Sequence, residues 1–395
     1  MKILFISAWY PDPINNGSKI RIYNLLKGLA SKHQVHLLAF KDQTQINFPS
    51  SLLSDICQTI KVIPLKKYNS KSLHSLAGLF SSTPRSLIDT YSTEMFEAIK
   101  NTILQEHIDV VIASETNTAI YWQAFQGKPA LFEMLEISIH DALIHQASTF
   151  ILRLRHQLTF VKQKRYLRRL LQHYQLTTVV SANELKILRY YLPDPPLIEI
   201  IPNCVSFSDY QNISKLHEPY QLIFSGSFRY FANHDAMVWF LDQIYPLIQA
   251  RIPEVQLIIT GDRANLPLPK AKGVTLTGYV PEIKPYIANA SISIVPIRLG
   301  GGTRLKILEA MALGTPVVST SKGAEGLDVE TGVHLFLADN PGEFAGAVIN
   351  LLQNPELCSK ISTNAQQLVE EKYNWATMMP RFLKLVEQVT ITRIQ

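Results

Sequence analysis

The sequence predicts an α/β protein of two doubly wound domains, each built on a parallel sheet. At 395 residues the chain exceeds the roughly 250–300 residues that one hydrophobic core usually serves. Short apolar runs alternate with helical stretches, which is typical of parallel strands joined by crossover helices. This alternation stops at a turn-rich stretch, residues 202–219, and then begins again.

The first half predicts a domain over residues 1–204. A crossover helix is predicted at Ser18–Ser31, because apolar residues recur there at helical spacing. The predicted strands are Ile3–Ser7, Val35–Phe40, Lys61–Pro64, Asp109–Ala113, Ala130–Glu133, Thr178–Ser181 and Ile198–Ile201.

The second half predicts another such domain over residues 205–375, and a C-terminal helix, 376–395, that packs back on the first domain. Its strands read as continuous apolar runs, as buried parallel strands do: Leu222–Ser225, Val255–Thr260, Val274–Thr277, Ile292–Pro296 and Pro316–Ser319. Its predicted helices are His234–Gln249, Ile283–Ala288 and Thr303–Leu313. Open sheets bind ligands beyond the carboxyl ends of their strands, so we expect the site in a cleft between the domains.

The composition argues against a disordered chain, a disulfide-rich protein and a membrane-spanning protein. Hydrophobic residues make up 47% and charged residues 18%, which is ordinary for a globular protein. The net charge of +6 is compatible with an anionic ligand, an anionic membrane or nucleic acid. The three cysteines have no metal-ligand spacing and are odd in number, which argues against a disulfide framework and for the cytoplasm. Nowhere do about 18 apolar residues run together, so no membrane-spanning helix is expected.

The strongest candidate site is a glycine-rich turn, Gly300–Gly302, at the start of the helix predicted at Thr303–Leu313. Free N–H groups at a helix start favour an anion such as phosphate. Arg304 and Lys306 oppose the helix dipole there, so a bound diphosphate explains them better than helix stability does. The alternative is a flexible loop with solvated charges. Glu309 either pairs with Lys306 at i, i+3 or accepts hydrogen bonds from vicinal sugar hydroxyls.

These residues carry a resemblance to a known family. The segment PIRLGGGTRLKILEAMALGTPVVST closely resembles the donor-site motif of family-four retaining glycosyltransferases. Similar motifs in the right order extend over nearly the whole chain, including ILFISAWYPDPINNGSKIRIYNLLKGLA near the N-terminus and VTLTGYVPEIKPYIANASISIVP in the second half. The resemblance implies the GT-B fold, in which two Rossmann-like domains face an interdomain cleft, and transfer of a sugar from a nucleotide sugar with retention.

The resemblance also implies roles for individual residues. Glu309 would hold the donor ribose hydroxyls, and Gly17 would close over the diphosphate from the first domain. Tyr279 and Val280 would meet the nucleobase. We expect Arg304, Lys306 and Glu309 to form the catalytic set. The remaining expected donor-site residues are Arg229, Gly261, Arg298, Gly301, Gly302 and Thr303.

The chain departs from the family pattern in four places, one of which is the hinge motif, where Cys204 stands in place of the usual glycine. Gly301 stands where the family usually has a first glutamate, and Ser227 and Ala232 stand where a basic pair is common. We expect Arg304 and Lys306, assisted by Arg229 or Arg298, to restore that charge. The histidine that many relatives carry after the fourth strand is absent, and the residues expected to line the acceptor side are Glu115, Glu136 and His140.

The resemblance implies a nucleotide-sugar co-substrate, such as a UDP- or GDP-sugar, a glycan or lipid-linked acceptor, and no further cofactor or metal. Residues 151–174 are basic and interleaved with leucine, which predicts a helix on an anionic membrane surface or, alternatively, a solvated surface helix. We therefore expect a cytoplasmic protein, peripheral on the inner face of the plasma membrane. Alternative functions are a non-catalytic nucleotide-sugar-binding subunit and a sugar-nucleotide epimerase. Nucleic-acid binding is not expected, because no recognised module is present.

Overall fold

The computed structural model describes residues 1–14, 16–42, 51–133, 149–192, 197–214, 216, 218–300 and 305–391. The chain divides into two units. The first comprises Met1–Pro202 and Met379–Gln395, and the second comprises Asn203–Met378. Among the helices of these described ranges, none is long and apolar enough to cross a membrane.

The first unit is built on a seven-stranded parallel sheet in the order β3-β2-β1-β4-β5-β6-β7. All seven predicted strands are confirmed, with ends that differ by at most two residues. The strands are β1 Lys2–Ser7, β2 Gln34–Lys41, β3 Thr59–Pro64, β4 Val110–Ser114, β5 Ala130–Glu133, β6 Leu176–Val179 and β7 Ile198–Ile200.

Helices cover this sheet, and Leu25, Leu26 and Leu29 of the first one are fully buried. The predicted first crossover helix is confirmed, and Asn16 caps it by accepting a hydrogen bond from Lys19 N at 3.0 Å. The helices are α1 Gly17–Ala30, α2 Ser51–Ser54, α3 Leu73–Ala77, α4 Arg85–Asp89, α5 Thr93–Glu106, α6 Thr116–Ala119, α7 Phe150–Leu171 and α8 Ala182–Tyr191.

The second unit is built on a six-stranded parallel sheet in the order β10-β9-β8-β11-β12-β13. The five predicted strands are confirmed, and the edge strand β13 was missed because it has only two residues. The strands are β8 Glu218–Ser225, β9 Gln256–Thr260, β10 Val274–Gly278, β11 Ala290–Val295, β12 Val317–Ser319 and β13 Phe336–Leu337.

The long helix predicted at His234–Gln249 differs from the structure. It is interrupted by a π-helical turn at Phe240–Ile244, just before Pro246, which lacks the N–H that a continuous α-helix requires. The helices of the second half are α9 Ser208–Gln211, α10 Phe231–Trp239, α11 Tyr245–Arg251, α12 Lys284–Asn289, α13 Leu305–Ala312, α14 Pro341–Gln353, α15 Pro355–Lys372 and α16 Trp375–Ile391.

Within the first unit, the C-terminal part of α16 lies against α1. A Cβ atom built on Gly28 of α1 would come within 2.1 Å of the Met379 sulfur, so the Met379 side chain packs directly on the backbone of α1. Arg381 Nη2 also lies 2.7 Å from Oε2 of Glu199, which belongs to β7, the edge strand of this sheet.

A buried ion pair ties together the carboxyl edge of the first sheet. Arg21 Nε lies 2.6 Å from Glu133 Oε1, and both side chains are at most 1% exposed. The two terminal nitrogens of Arg21 donate to the carbonyls of Ile201 and Pro202 at 2.9 and 2.8 Å. Ser114 Oγ donates to Glu133 Oε2 at 2.6 Å. One guanidinium therefore joins α1 to the ends of β4 and β5 and to the segment after β7.

We expect Arg21→Met to lower the free energy of unfolding by about 3–5 kcal/mol, because Glu133 would keep its charge in a buried site without a cationic partner. Arg229→Met is the matched control. It removes an exposed arginine paired with Asp262 and should cost about 0–1 kcal/mol. Equilibrium urea unfolding measures both. Similar losses in the two variants would contradict a structural role for the buried pair.

Candidate nucleotide-binding site of the second unit

The candidate site lies where the strand order of the second sheet reverses. The chain leaves β8 for β9 and β10 on one side and then returns to β11 on the other, so β8 and β11 are neighbours. In open α/β sheets the loops that follow such a pair of strands diverge, and ligands bind in the crevice beyond the carboxyl ends of the pair. Helix α10 follows β8, and helix α13 follows β11.

Lys306 of α13 places its ammonium at this crevice. Its Nζ donates to Asn233 Oδ1 at 3.0 Å and lies 4.2 Å from the centroid of the Phe224 ring. Asn233 belongs to α10 and is 8% exposed, and its own Nδ2 donates to the Ser227 carbonyl at 2.7 Å. The amide thus fixes the position of the ammonium. The cation lies beside the loop after β8, the place where the sequence lacks the family's usual basic pair.

Three glycines bring the ends of neighbouring strands close together. Gly226 N donates to the Thr260 carbonyl at 3.0 Å, and Gly261 N donates to the Gly278 carbonyl at 2.7 Å. A Cβ on Gly226 would lie 2.8 Å from Lys306 Nζ, and a Cβ on Gly261 would lie 2.6 Å from the Gly226 carbonyl oxygen. Gly226, Gly261 and Gly278 all have positive φ, which disfavours a side chain at each of these positions, so backbone lies beside Lys306 and Asn233 at this edge.

Glu309 lies one turn further along α13 than Lys306 and is partly buried. Its Oε1 accepts a hydrogen bond from Tyr210 Oη at 3.3 Å. Burial raises the pKa of the Glu309 carboxyl, and the Tyr210 hydroxyl and the charges of Lys306 and Lys284 partly offset this. Lys306 donates a hydrogen bond to Asn233, and Glu309 accepts one from Tyr210. Both partners belong to other elements, so these two hydrogen bonds differ from the i, i+3 pair considered as an alternative.

The two other predicted cations of this unit are ion-paired. Arg229 contacts Asp262 beyond β9, and its side chain is 76% exposed. Arg298 forms two hydrogen bonds with the Asp235 carboxylate, at 2.8 and 3.2 Å, and its guanidinium lies 4.9 Å from the centroid of the Trp239 ring. Arg298 lies in the loop after β11 and Asp235 belongs to α10, so this pair links the loop that leads to α13 with the helix that also carries Asn233.

The remaining predicted residues are distributed as follows. Tyr279, directly after β10, is 72% exposed, and Val280 is partly buried beside it. In the first unit, Gly17 begins α1, and Glu115 follows β4 and accepts from Trp9 Nε1 at 3.1 Å. The residues that lie outside the described part of the chain are Gly301, Gly302, Thr303, Arg304, Glu136 and His140.

Sequence reasoning missed Asn233 and Tyr210. Asn233 directly follows Ala232, one of the two positions where the basic pair is absent, so that departure was a signal that the neighbouring residues differ in role. Tyr210 comes from the short helix α9, 99 residues before Glu309, and no local pattern connects them.

Comparison with protein families agrees with this geometry. The model of the glycosyl transferases group 1 matches residues 219–354, and the model of glycosyltransferase family 4 matches residues 15–209. Together these matches cover most of both units. The chain belongs to the group 1, family 4 glycosyltransferases.

Solved structures show the same GT-B fold as this glycosyltransferase. A sucrose-phosphate synthase of Thermosynechococcus elongatus is similar with a TM-score of 0.72 and 17% identity, over 99% of this chain and 100% of that chain. HepE of Anabaena in complex with UDP is similar with a TM-score of 0.68 and 16% identity, over 98% and 100% of the two chains.

Curated relatives match shorter stretches of this glycosyltransferase. An uncharacterized protein in the cps region of Klebsiella pneumoniae is 28% identical over 39% of this chain and 42% of its own length. A probable sucrose-phosphate synthase of Thermosipho melanesiensis is 32% identical over 22% of this chain and 20% of its own length. The chain thus spans less than half the length of these two relatives.

We expect Glu309→Gln to stabilise the free protein at neutral pH. The folded-state pKa of Glu309 is raised above the value of about 4.3 for an unfolded chain, so its ionisation lowers stability as pH rises through the raised pKa. Below the unfolded value the carboxyl is protonated in both states and this cost is absent. Thermal unfolding should show a higher Tm for the variant at pH 7 and a shrinking difference toward about pH 4.

Glu254→Gln is the control, because Glu254 is exposed. Its Tm should follow that of the wild type across the same pH range. An equal pH dependence in Glu309→Gln and the wild type would contradict the burial of an ionised Glu309.

Proposed function

We propose that this protein is a retaining glycosyltransferase that moves a sugar from a nucleotide sugar to a glycan or lipid-linked acceptor during cell-surface polysaccharide synthesis. The observation that carries this proposal is the position of Lys306 Nζ, 3.0 Å from Asn233 Oδ1 at the strand-order reversal of the second sheet. A fixed cation at that crevice suits the diphosphate of a nucleotide sugar.

The proposed reaction needs positive charge where the leaving diphosphate develops negative charge. Lys306 supplies an ammonium held by a neutral amide and an aromatic ring. Arg304, two residues earlier in the sequence, supplies a second cation in this proposal. Electrostatic stabilisation of this kind removes the need for a protein nucleophile or a divalent metal. The departing phosphate then accepts the proton of the acceptor hydroxyl on the same face as the bond it leaves, which retains the configuration of the sugar.

Glu309 is proposed to hold the ribose of the donor. Its carboxylate is oriented by Tyr210 and faces the charges of Lys306 and Lys284. An ionised carboxylate can accept two hydrogen bonds from vicinal hydroxyls, which suits the two ribose hydroxyls. Backbone around Tyr279 and Val280, after β10, is proposed to carry the nucleobase.

Two relatives support the choice of donor and process. Structures of Anabaena HepE contain UDP and UDP-glucose, which favours a uridine nucleotide as the donor here. The Klebsiella pneumoniae relative belongs to a cps region, which favours polysaccharide synthesis. We further propose that the protein works in the cytoplasm at the inner face of the plasma membrane, with α7 next to the bilayer.

A non-catalytic nucleotide-sugar-binding subunit is the second candidate. It is favoured by one observation, Gly301 in place of the glutamate that the family usually has at that position. A binder would be stabilised by the donor and would show no turnover with acceptor, whereas an epimerase would convert the donor without acceptor.

The first test is a panel of UDP-, GDP-, ADP- and dTDP-sugars, assayed by thermal shift and by nucleotide release. We expect a UDP-sugar to raise Tm most, and UDP to be released faster when acceptor glycans or lipid-linked sugars are added. Glu309→Gln should show a smaller rise in Tm with UDP than the wild type. Stabilisation by every donor without release of nucleotide would favour the binding subunit.

The second test concerns the two cations. We expect Lys306→Ala and Arg304→Ala each to lower kcat by about 10²–10³-fold, as the loss of one electrostatic contact to the transition state does in other enzymes. Arg251→Ala is the matched control, since Arg251 is exposed at the end of α11, on the amino-end side of β9 and so at the opposite edge of the sheet from Lys306. Its kcat should stay close to wild type. Wild-type kcat in Lys306→Ala, with an unchanged Tm, would refute the proposed phosphate role.

A further inference from the structure

A cavity of about 590 Å³ opens in the first unit between residues 74–91 and helix α7. This volume falls within the roughly 300–1,000 Å³ of typical small-molecule sites. Most of the lining side chains are aliphatic or aromatic, among them Leu87, Ile88, Ile120, Trp122, Tyr166 and Leu170. Such a lining suits an apolar group better than a glycan, whose hydroxyls need hydrogen-bond partners.

Among the described residues that line the cavity, Arg169 is the one permanent cation, and it is exposed. The two histidines that line the cavity are not permanent cations. His173 stacks on Trp122 with ring centroids 3.4 Å apart, and burial lowers the pKa of His173, which favours its neutral form at neutral pH. His74 is exposed on the opposite side, in α3. The cavity therefore combines an apolar interior with a guanidinium that suits an anionic head group.

The two elements that border the cavity also carry exposed apolar side chains. In and after α3, Leu73, Leu76, Leu79 and Phe80 are 83%, 46%, 55% and 95% exposed. Along α7, an apolar stripe at helical spacing is also exposed, comprising Phe150, Leu154, Leu158 and Val161. We call these eight residues the apolar face. A concentration of exposed apolar side chains of this kind marks an interaction surface.

A direct contact joins the two halves of the apolar face. Lys162 Nζ donates to the carbonyl of Gly78 at 2.6 Å, and this links α7 to the end of α3. The apolar face is exposed on both elements, and residues of both line the cavity.

The charges near the apolar face indicate which kind of partner it binds. Residues 60–88 and 149–174 contain no Asp or Glu, and the second of these segments contains Arg153, Lys164, Arg165 and Arg168 in addition to Arg169. A second copy of this chain, with its net charge of +6, would be repelled by such a surface. Anionic lipid head groups would be attracted to it while the apolar side chains enter the bilayer.

We propose that this cavity binds the hydrocarbon chain of a lipid with an anionic head group, and that the apolar face holds the first unit on the bilayer from which that lipid enters. The inference rests on the proposed function in one respect, since it identifies the lipid as the carrier of the acceptor sugar. An acyl chain and an isoprenoid chain share the chemistry that the cavity recognises.

Binding is tested with stearate and dibromostearate, both single-chain anionic lipids, below their micellar concentrations. Calorimetric titration of the full chain with stearate should give saturable binding. Ile88→Trp fills the cavity and should weaken stearate binding at least tenfold. Leu352→Trp is the matched control, because Leu352 lines a separate cavity of about 460 Å³ in the second unit, whose lining also includes Ser359, Ser362 and Thr363. Its affinity for stearate should equal that of the wild type.

Fluorescence quenching locates the hydrocarbon chain of the bound lipid. The protein has four tryptophans, and only Trp122 among them lines this cavity. Dibromostearate quenches tryptophan fluorescence on contact, so we expect saturable quenching that Trp122→Phe abolishes. Quenching that persists in Trp122→Phe would place the lipid elsewhere and overturn the proposal.

Two further measurements separate the possible outcomes. The rise in Tm with UDP should be the same in wild type, Ile88→Trp and Leu352→Trp, which shows that the variants fold and that the donor site is intact. Stearate binding that Ile88→Trp leaves unchanged, or no stearate binding in a protein that binds UDP, would overturn the inference and leave the proposed function standing. Farnesyl phosphate in place of stearate distinguishes isoprenoid from acyl chains by the tighter of the two affinities.

Discussion

The parallel arrangement of every strand in each sheet is the constraint on which the rest of the structure depends. It brings all carboxyl ends of one sheet to a single edge, and the reversal of strand order opens a crevice at a defined pair of strands. In the first unit this pair is β1 and β4, and in the second it is β8 and β11. Each unit places a cationic side chain at this edge, on the helix that follows a strand of the pair. The residue that contacts this cation determines whether the cation stabilises the fold or is held in position for a ligand.

Arg21 and Lys306 illustrate the difference. Arg21 meets a carboxylate, Glu133, and two backbone carbonyls, so its donors are used inside the protein and the pair is shut off from solvent. Lys306 meets an amide, Asn233, and a ring face, Phe224. The first arrangement is suited to holding strand ends together. The second keeps a cation in position at the crevice, which is what a site for a phosphate requires.

The fold was largely predictable because buried parallel strands appear as apolar runs that any reading of the sequence detects. All twelve predicted strands are present. The errors occurred where one residue or a distant partner decides the local structure. Pro246 interrupts a pattern that otherwise reads as one helix, and β13 is too short to have a pattern. Arg21 and Glu133 are 112 residues apart, so their pairing depends on the three-dimensional fold and on no local spacing.

The candidate site was predictable only in part. The sequence identified Lys306 and Glu309 as its polar residues, and the family resemblance gave each a role. Spacing alone favoured pairing them with each other at i, i+3. The structure instead orients each through a residue from another element, Asn233 for the ammonium and Tyr210 for the carboxylate. Residues that orient a functional side chain reach it through tertiary contacts. A single sequence therefore reveals the functional side chain more readily than the side chain that orients it.

Glu309 illustrates why a functional side chain needs such orienting residues. A carboxylate on the inner part of a helix otherwise lined by buried side chains is disfavoured in its charged form, and burial raises its pKa. If burial alone acted, the group would tend to take up a proton and could then accept fewer hydrogen bonds. The Tyr210 hydroxyl and the two nearby lysines act in the opposite direction. The Tyr210 hydroxyl, Lys306 and Lys284 therefore favour the ionised form of a carboxylate that would touch the ligand, although only Glu309 would make that contact.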